Sequence, residues 1–197
     1  HSMAQEIEIE FKNLLTQDEF DTLLDAYPFP KEGTEQTNYY FETANLDLKE
    51  LGCALRIRKK NGQYILTLKE PYGDGLLETH DHLTSEEAES WLNGKPIEKE
   101  HTLNQLKKLD VKIEGLINFG SLTTVRREYE DGTNLFVLDY SRYNDQEDYE
   151  LELEVKNFDE GQKTFHALLE EHHIPKRRTP NKIERFYISL KNLDGRH

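Results

Sequence analysis

A single cysteine, Cys53, excludes an intrachain disulfide and a cysteine-built zinc centre. It stands in an apolar stretch, where a free thiol behaves as a small hydrophobe. No apolar run approaches the ~20 residues that cross a bilayer, and no segment reads as a signal peptide. The expected setting is therefore cytoplasmic, with no membrane partner. Basic residues are in deficit, 25 Lys and Arg against 39 Asp and Glu, for a formal net charge of −14. A nucleic-acid polymer needs a net basic surface, so it is not an expected partner either. A local basic pocket survives that argument. Glycine-rich phosphate loops are absent too, which excludes P-loop chemistry. The 197 residues fit one domain, 1–197, with His1-Ser2 ahead of Met3 reading as a cloning remnant.

What the chain does have is charge, 32% of its residues, arranged in alternation. In Glu6-Ile7-Glu8-Ile9-Glu10-Phe11-Lys12, residues two apart share a face of an extended strand. One face carries Glu6, Glu8, Glu10 and Lys12; the other carries Ile7, Ile9 and Phe11. Tyr149 to Val155 repeats the pattern with Glu150, Glu152 and Glu154 on one face. Other strands are basic: Arg56, Arg58 and Lys60 alternate with Leu55 and Ile57, and Thr67 and Lys69 alternate with Leu66 and Leu68.

The punctuation predicts about eight strands interrupted by helices, without a βαβ rhythm. Strands are expected at 38–42, 53–60, 63–70, 76–83, 122–130, 134–140 and 149–155, besides the opening one. Asn61-Gly62 and Asp131-Gly132 read as hairpin turns, and Pro71 to Gly75 as a break. Thr16-Gln17-Asp18-Glu19 and Thr84-Ser85-Glu86-Glu87 are capping boxes opening helices. Further helices are expected near 102–109 and 160–173, and 182–190 reads as a final strand or a helix–strand junction.

Any one such strand reads most simply as the solvated face of a half-buried sheet. Segregation of sign across several strands argues for more. If the sheet closes into a barrel with helices outside, the apolar faces meet the helices and the charged faces line the interior. Like charges there persist only if they bind something, because burying them unpaired is costly. Carboxylate clusters suit hard cations such as Mg²⁺ or Mn²⁺, and arginine forks and lysines suit phosphate oxygens. Together they describe a site for a phosphate chain bridged by metal, in which catalysis is positioning and charge neutralisation.

Glu8-Ile9-Glu10-Phe11-Lys12 resembles the Glu-x-Glu-x-Lys signature of the CYTH superfamily, the triphosphate tunnel metalloenzymes. Tyr40-Phe41-Glu42-Thr43, Leu55-Arg56-Ile57-Arg58, Thr67-Leu68-Lys69, Thr124-Val125-Arg126, Leu138-Asp139, Glu152-Leu153-Glu154 and Lys182 with Arg185 extend the resemblance in order along the chain. It implies an α+β fold, an eight-stranded antiparallel closed β-barrel with helices packed outside. It further implies one or two Mg²⁺ or Mn²⁺ ions on Glu8, Glu10, Asp139, Glu152 and Glu154. Triphosphate would be held by Lys12, Arg56, Arg58, Lys69, Arg126, Lys182 and Arg185, with Glu8, Glu10, Lys12 and Arg58 the catalytic candidates. Glu150 and Glu78 are second-rank: Glu150, Glu152 and Glu154 offer two acidic pairs, and Glu78 shares a face with His80 and His82. Arg126 and Arg127 face oppositely, and the Thr-x-Arg spacing selects Arg126.

The expected activity is metal-dependent hydrolysis of a small-molecule triphosphate. The alternatives are a class IV-type adenylate cyclase, in which a ribose hydroxyl replaces water, and a non-catalytic triphosphate or polyphosphate binder. No adenine-reading motif favours the cyclase, and anion binding alone needs no acidic wall. Trp91, Tyr39 and Tyr40 are expected in packing, His172-His173 beside a helix C-terminus, and Lys176-Arg177-Arg178 as either a solvated loop or a basic mouth.

Overall fold

The computed structural model describes residues 4–194, and His1-Ser2 lies outside them. The alternation seen in sequence becomes eight strands: β1 (Gln5–Leu15), β2 (Thr34–Glu42), β3 (Ala54–Lys60), β4 (Gln63–Tyr72), β5 (Gly75–Leu83), β6 (Ile117–Asp131), β7 (Asn134–Tyr143) and β8 (Gln146–Val155). They form a closed barrel in the order β1-β5-β4-β3-β2-β6-β7-β8, with antiparallel pairing. The chain divides into two compact units.

The first unit takes the chain through Ile7 and from Gln36 to Ser121. Asn61 and Gly62 both adopt positive φ, 52° and 73°, which matches a two-residue hairpin turn between β3 and β4. Pro71 does not break the chain. It sits in β4, and the turn falls on Gly73-Asp74, leading straight into β5. Leu55, Ile57, Leu66 and Leu68 bury one face of these strands. Against them pack Ala88 and Trp91 of α3 (Ser85–Leu92) and Leu106 of α4 (Glu100–Lys108). Trp91 meets Phe41 edge-on at 5.2 Å and donates to the Ile97 carbonyl, so it is core.

Two buried carboxylates of this unit act on backbone. Glu42 accepts from the N–H groups of Thr43, Leu48 and Lys49 at 2.9–3.0 Å, fixing the one-turn helix α2 (Asp47–Glu50). The helix has no side-chain cap of its own, because Leu46 stands at its N-cap. Asp81 serves α4 in the same way, accepting from the Thr102 N–H and hydroxyl at 2.7 and 2.8 Å. Glu42→Ala strands three amides in a buried turn, so we expect a loss of roughly 3 kcal/mol. Urea unfolding with an unchanged m-value would register it as a lower midpoint.

The second unit spans Glu8–Glu35 and the chain from Leu122 onward. Phe136, Leu138, Leu151 and Leu153 bury one face of β7 and β8. Phe20 and Leu23 of α1 (Gln17–Ala26) and Phe165, Leu168 and Leu169 of α5 (Phe158–Glu171) cover it. Gly161 permits that approach: a Cβ there would lie 2.6 Å from a Val155 methyl. The segment expected to end in a strand is instead one helix, α6 (Lys182–Asp194). Ile183, Phe186, Tyr187 and Leu190 recur at helical spacing, and Phe186 and Tyr187 are buried. His172 caps α5 and meets the Tyr27 hydroxyl at 2.9 Å. Arg177 is bound to Glu19 at 2.7 Å and to the Leu14 carbonyl, which makes its segment a tied loop.

In both units the helices take the apolar face of the strands, and register gathers the charged residues on the other.

Candidate functional site

Register decides which charged residues meet, because antiparallel partners share a face. In the second unit Glu10 lies opposite Glu154 and Lys12 opposite Glu152, while β7 sets Asp139 against Glu150 and β6 sets Arg126 against Asp139. One face of this four-stranded sheet thus carries nearly all the acidic candidates.

They separate into two groups. Carboxylate oxygens of Glu8, Glu10 and Glu154 lie within 4.8 Å of one another, in partly buried positions. Lys12 reaches Glu10 at 3.2 Å and also hydrogen-bonds the Asn181 side chain. Asp139, Glu150 and Glu152 form the second group, fully buried. Its centre is already cationic: Lys182 Nζ stands 2.6 Å from Glu150, 2.6 Å from Glu152 and 2.9 Å from Asp139. Arg126 adds a fork to Asp139 at 2.8 and 2.9 Å. The ambiguity among Glu150, Glu152 and Glu154 is thereby divided, Glu154 joining the first group and the other two the second.

The protonation balance follows from burial against pairing. Burial would raise Glu152, but Lys182, Arg126 and Lys12 outweigh it and hold the carboxyl well below its usual value. Asp139 is likewise lowered, by Arg126 and Lys182 against burial. For Glu150 burial prevails over Lys182 and Arg185, and its value rises. Burial alone would lower Lys182, yet Asp139, Glu150 and Glu152 raise it well above the ordinary lysine value.

Arg185, one helical turn from Lys182, donates to Asp148 at 3.0 Å, to Glu150 at 3.0 Å and to the Pro180 carbonyl at 2.7 Å. Asp148 also accepts from the Tyr143 hydroxyl at 2.6 Å. The chain Tyr143–Asp148–Arg185–Glu150 therefore holds α6 on β8 and sets where Lys182 stands. Arg127 points away from this face, donating to the Lys31 carbonyl. Arg126 lies on the opposite side of the strand, facing Asp139.

The first unit carries the other candidates. Arg56 and Arg58 share a face with Tyr40 and Asn38 on β2 and with Thr67 on β4. Arg58 Nε donates to Asn38 Oδ1 at 3.0 Å. Arg56 Nε is buried and has no hydrogen-bond acceptor among the described residues. Lys69 pairs with Glu78 at 3.4 Å, and His80 bridges Glu6 at 2.8 Å and Thr67 at 2.8 Å. Ligand atoms of Glu6, Glu78 and His80 lie within 4.8 Å. The Glu78-His80 alternation was visible in sequence; the third member, Glu6, was not, because it comes from β1. His82 is exposed.

An all-oxygen group such as Glu8, Glu10 and Glu154 has the donor chemistry that Mg²⁺ or Mn²⁺ takes. The second group has the same donors, but a lysine ammonium lies among them.

Comparison with known proteins gives a consistent result. The CYTH domain matches residues 6–187. A protein of Bacillus subtilis (strain 168), provisionally named triphosphatase YjbK, is 48% identical over 186 residues, covering 94% of this chain and 96% of the relative. A Bacillus halodurans crystal structure, described as a candidate adenylate cyclase, superposes with a TM-score of 0.89 at 35% identity, over 94% of this chain and 100% of that one. A Hippeastrum protein, described as a candidate adenylyl cyclase with a dominant triphosphatase activity, superposes with a TM-score of 0.74 at 24% identity, over 93% and 96%.

Proposed function

The chain belongs to the CYTH domain family, and from that premise we propose that it is a metal-dependent triphosphatase acting as one domain over 1–197. The observation that carries the reading is the convergence of Glu8, Glu10 and Glu154 within 4.8 Å, on the sheet face that also bears Lys12 and Arg126. The name of the B. subtilis relative points the same way.

Glu8, Glu10 and Glu154 are the residues that would hold a divalent ion. Bound there, Mg²⁺ or Mn²⁺ supplies charge neutralisation to phosphate oxygens and orientation to the attacking water. Asp139 and Glu152 would serve a second ion in exchange for the Lys182 ammonium. Lys12, Arg126 and Lys182 hold phosphate oxygens on one unit, and Arg56, Arg58 and Lys69 are the phosphate ligands of β3 and β4. A carboxylate of the first group takes the proton of water attacking a terminal phosphorus; the P–O bond to the bridging oxygen breaks and the shortened phosphate chain leaves. Arg185 contributes through Glu150 and Lys182.

The test separates products. The protein is incubated with inorganic triphosphate, thiamine triphosphate and ATP in Mg²⁺ or Mn²⁺, and phosphate, pyrophosphate and cyclic AMP are assayed apart. Phosphate release is expected, lost on adding EDTA while the far-UV circular dichroism stays unchanged. Cyclic AMP with pyrophosphate from ATP would replace hydrolysis by the cyclase reaction. Binding without any turnover would leave a triphosphate-binding module. None of the helices in the described residues is long and apolar enough to cross a membrane.

A further inference from the structure

Gln36 carries a buried side-chain amide. The residue is 2% exposed on β2, and its Nε2 is buried without a hydrogen-bond acceptor among the described residues. A buried donor left unpaired is costly, so such groups normally find partners. An apolar or β-branched residue would fill a strand position at lower cost.

Its surroundings say what kind of partner is missing. Across the β2–β3 pair, Gln36 lies opposite Lys60, Asn38 opposite Arg58 and Tyr40 opposite Arg56. These partners share one face, and its three β3 residues are all cations. Asn38, the neighbouring buried amide, has a use inside the protein, since its oxygen accepts Arg58 Nε at 3.0 Å. At Gln36 the facing side chain is a lysine, which offers donors only. Arg56 Nε, farther along the same face, is likewise buried without an acceptor. Two orphaned N–H donors on a face of three cations call for oxygens of negative charge.

We propose that Gln36 is a substrate ligand whose amide donates to a phosphoryl oxygen of the anionic chain that Arg56 and Arg58 hold. This rests on the triphosphatase reading. Gln36 and Lys60 lie two residues beyond Arg58, about 7 Å along the strand. They extend the phosphate-binding row by one step, so the oxygen belongs either to the end of a triphosphate or to the next phosphoryl of a longer polyphosphate.

The experiment uses the full chain and the variants Gln36→Leu and Gln36→Glu. Binding of inorganic tripolyphosphate and tetrapolyphosphate is measured by calorimetry in EDTA, and kcat and KM for tripolyphosphate are measured in Mg²⁺. Removing an unpaired donor relieves the free protein, so Gln36→Leu should melt at or above the wild-type temperature. Its affinity should fall about 10-fold, appearing as a raised KM with kcat nearly unchanged. Gln36→Glu sets a carboxylate against the phosphoryl oxygens and should weaken binding further, by roughly 100-fold. Equal losses for both probes place the oxygen within a triphosphate, and a loss confined to tetrapolyphosphate places it on the fourth phosphoryl. Undiminished affinity for both probes in Gln36→Leu overturns the proposal. So does a melting temperature several degrees lower, which would show the amide to be paired within the fold. A wild-type protein that neither binds nor hydrolyses either probe would instead defeat the triphosphatase reading itself.

Discussion

Glu10→Gln should lower triphosphate turnover about 100-fold or more, because the charge on a metal-holding carboxylate is worth several kcal/mol in the transition state. The substitution keeps volume and removes one charge from the group formed with Glu8 and Glu154. Raising Mn²⁺ should recover part of the loss, since the surviving carboxylates still offer oxygen donors and occupancy can be restored by mass action. Arg58→Ala provides the contrast. It removes a phosphate donor, so KM should rise and excess metal should not repair it. Stability should change by only about 1 kcal/mol in Glu10→Gln, whose Lys12 ion pair is partly exposed. Phosphate release across a Mn²⁺ titration, with melting curves alongside, reads all of this. Wild-type turnover in the glutamine variant would make the three-carboxylate group an ordinary polar face.

Much of the architecture could be read from periodicity, because strand alternation and hairpin glycines are local signals. The segments from Ala54 to Lys60 and from Gln63 onward, joined at Asn61-Gly62, stand as strands where the alternation puts them. Pro71 was misleading because proline is excluded from a sheet only where its missing N–H is needed, and here it lies near the end of β4. The stretch 182–190 was misleading in another way. Short apolar patterns fit either period, and only its buried face, Phe186 with Tyr187, shows the helix.

The site was legible as faces and not as groupings. Alternation puts Glu150, Glu152 and Glu154 on one face, but it cannot say which strand residue each will oppose. That depends on register, which sets Glu154 against Glu10 and Glu150 against Asp139. Lys182 comes from a helix far along the chain, so its place among the buried carboxylates has no local signature. The same holds for Glu42 and Asp81, whose backbone partners lie on other elements. Gln36 carried no signal in sequence, since a polar residue alternating in a strand looks solvated until its burial is known.

Lys182→Met should be the most destabilising of these substitutions in the metal-free protein, by about 3–5 kcal/mol near pH 7, because it leaves buried carboxylates without their central cation. Asp139, Glu150 and Glu152 would face only Arg126 and Arg185 among the cations now contacting them. The pH dependence identifies the cause. Asp139 and Glu152 have lowered folded values, so their contribution is present above the unfolded carboxylate range near ~4 and is lost as pH falls through the depressed values. Lys182 has a raised folded value, so its contribution is present below the unfolded lysine value near ~10.4 and is lost as pH rises through the folded one. Glu150, raised by burial, opposes the first two: its stabilising effect is greatest at low pH and fades as pH rises through its folded value. In the methionine variant the carboxylates lose their main counter-charge, their values rise, and they take up protons at higher pH than in the wild type. The gap between wild type and variant should therefore be widest from about pH 7 to 10 and close on both sides. Urea unfolding in a chelator at several pH values measures it. A gap that stays constant from pH 4 to 8 would mean that Lys182 contributes packing and not the charge that holds these three carboxylates together.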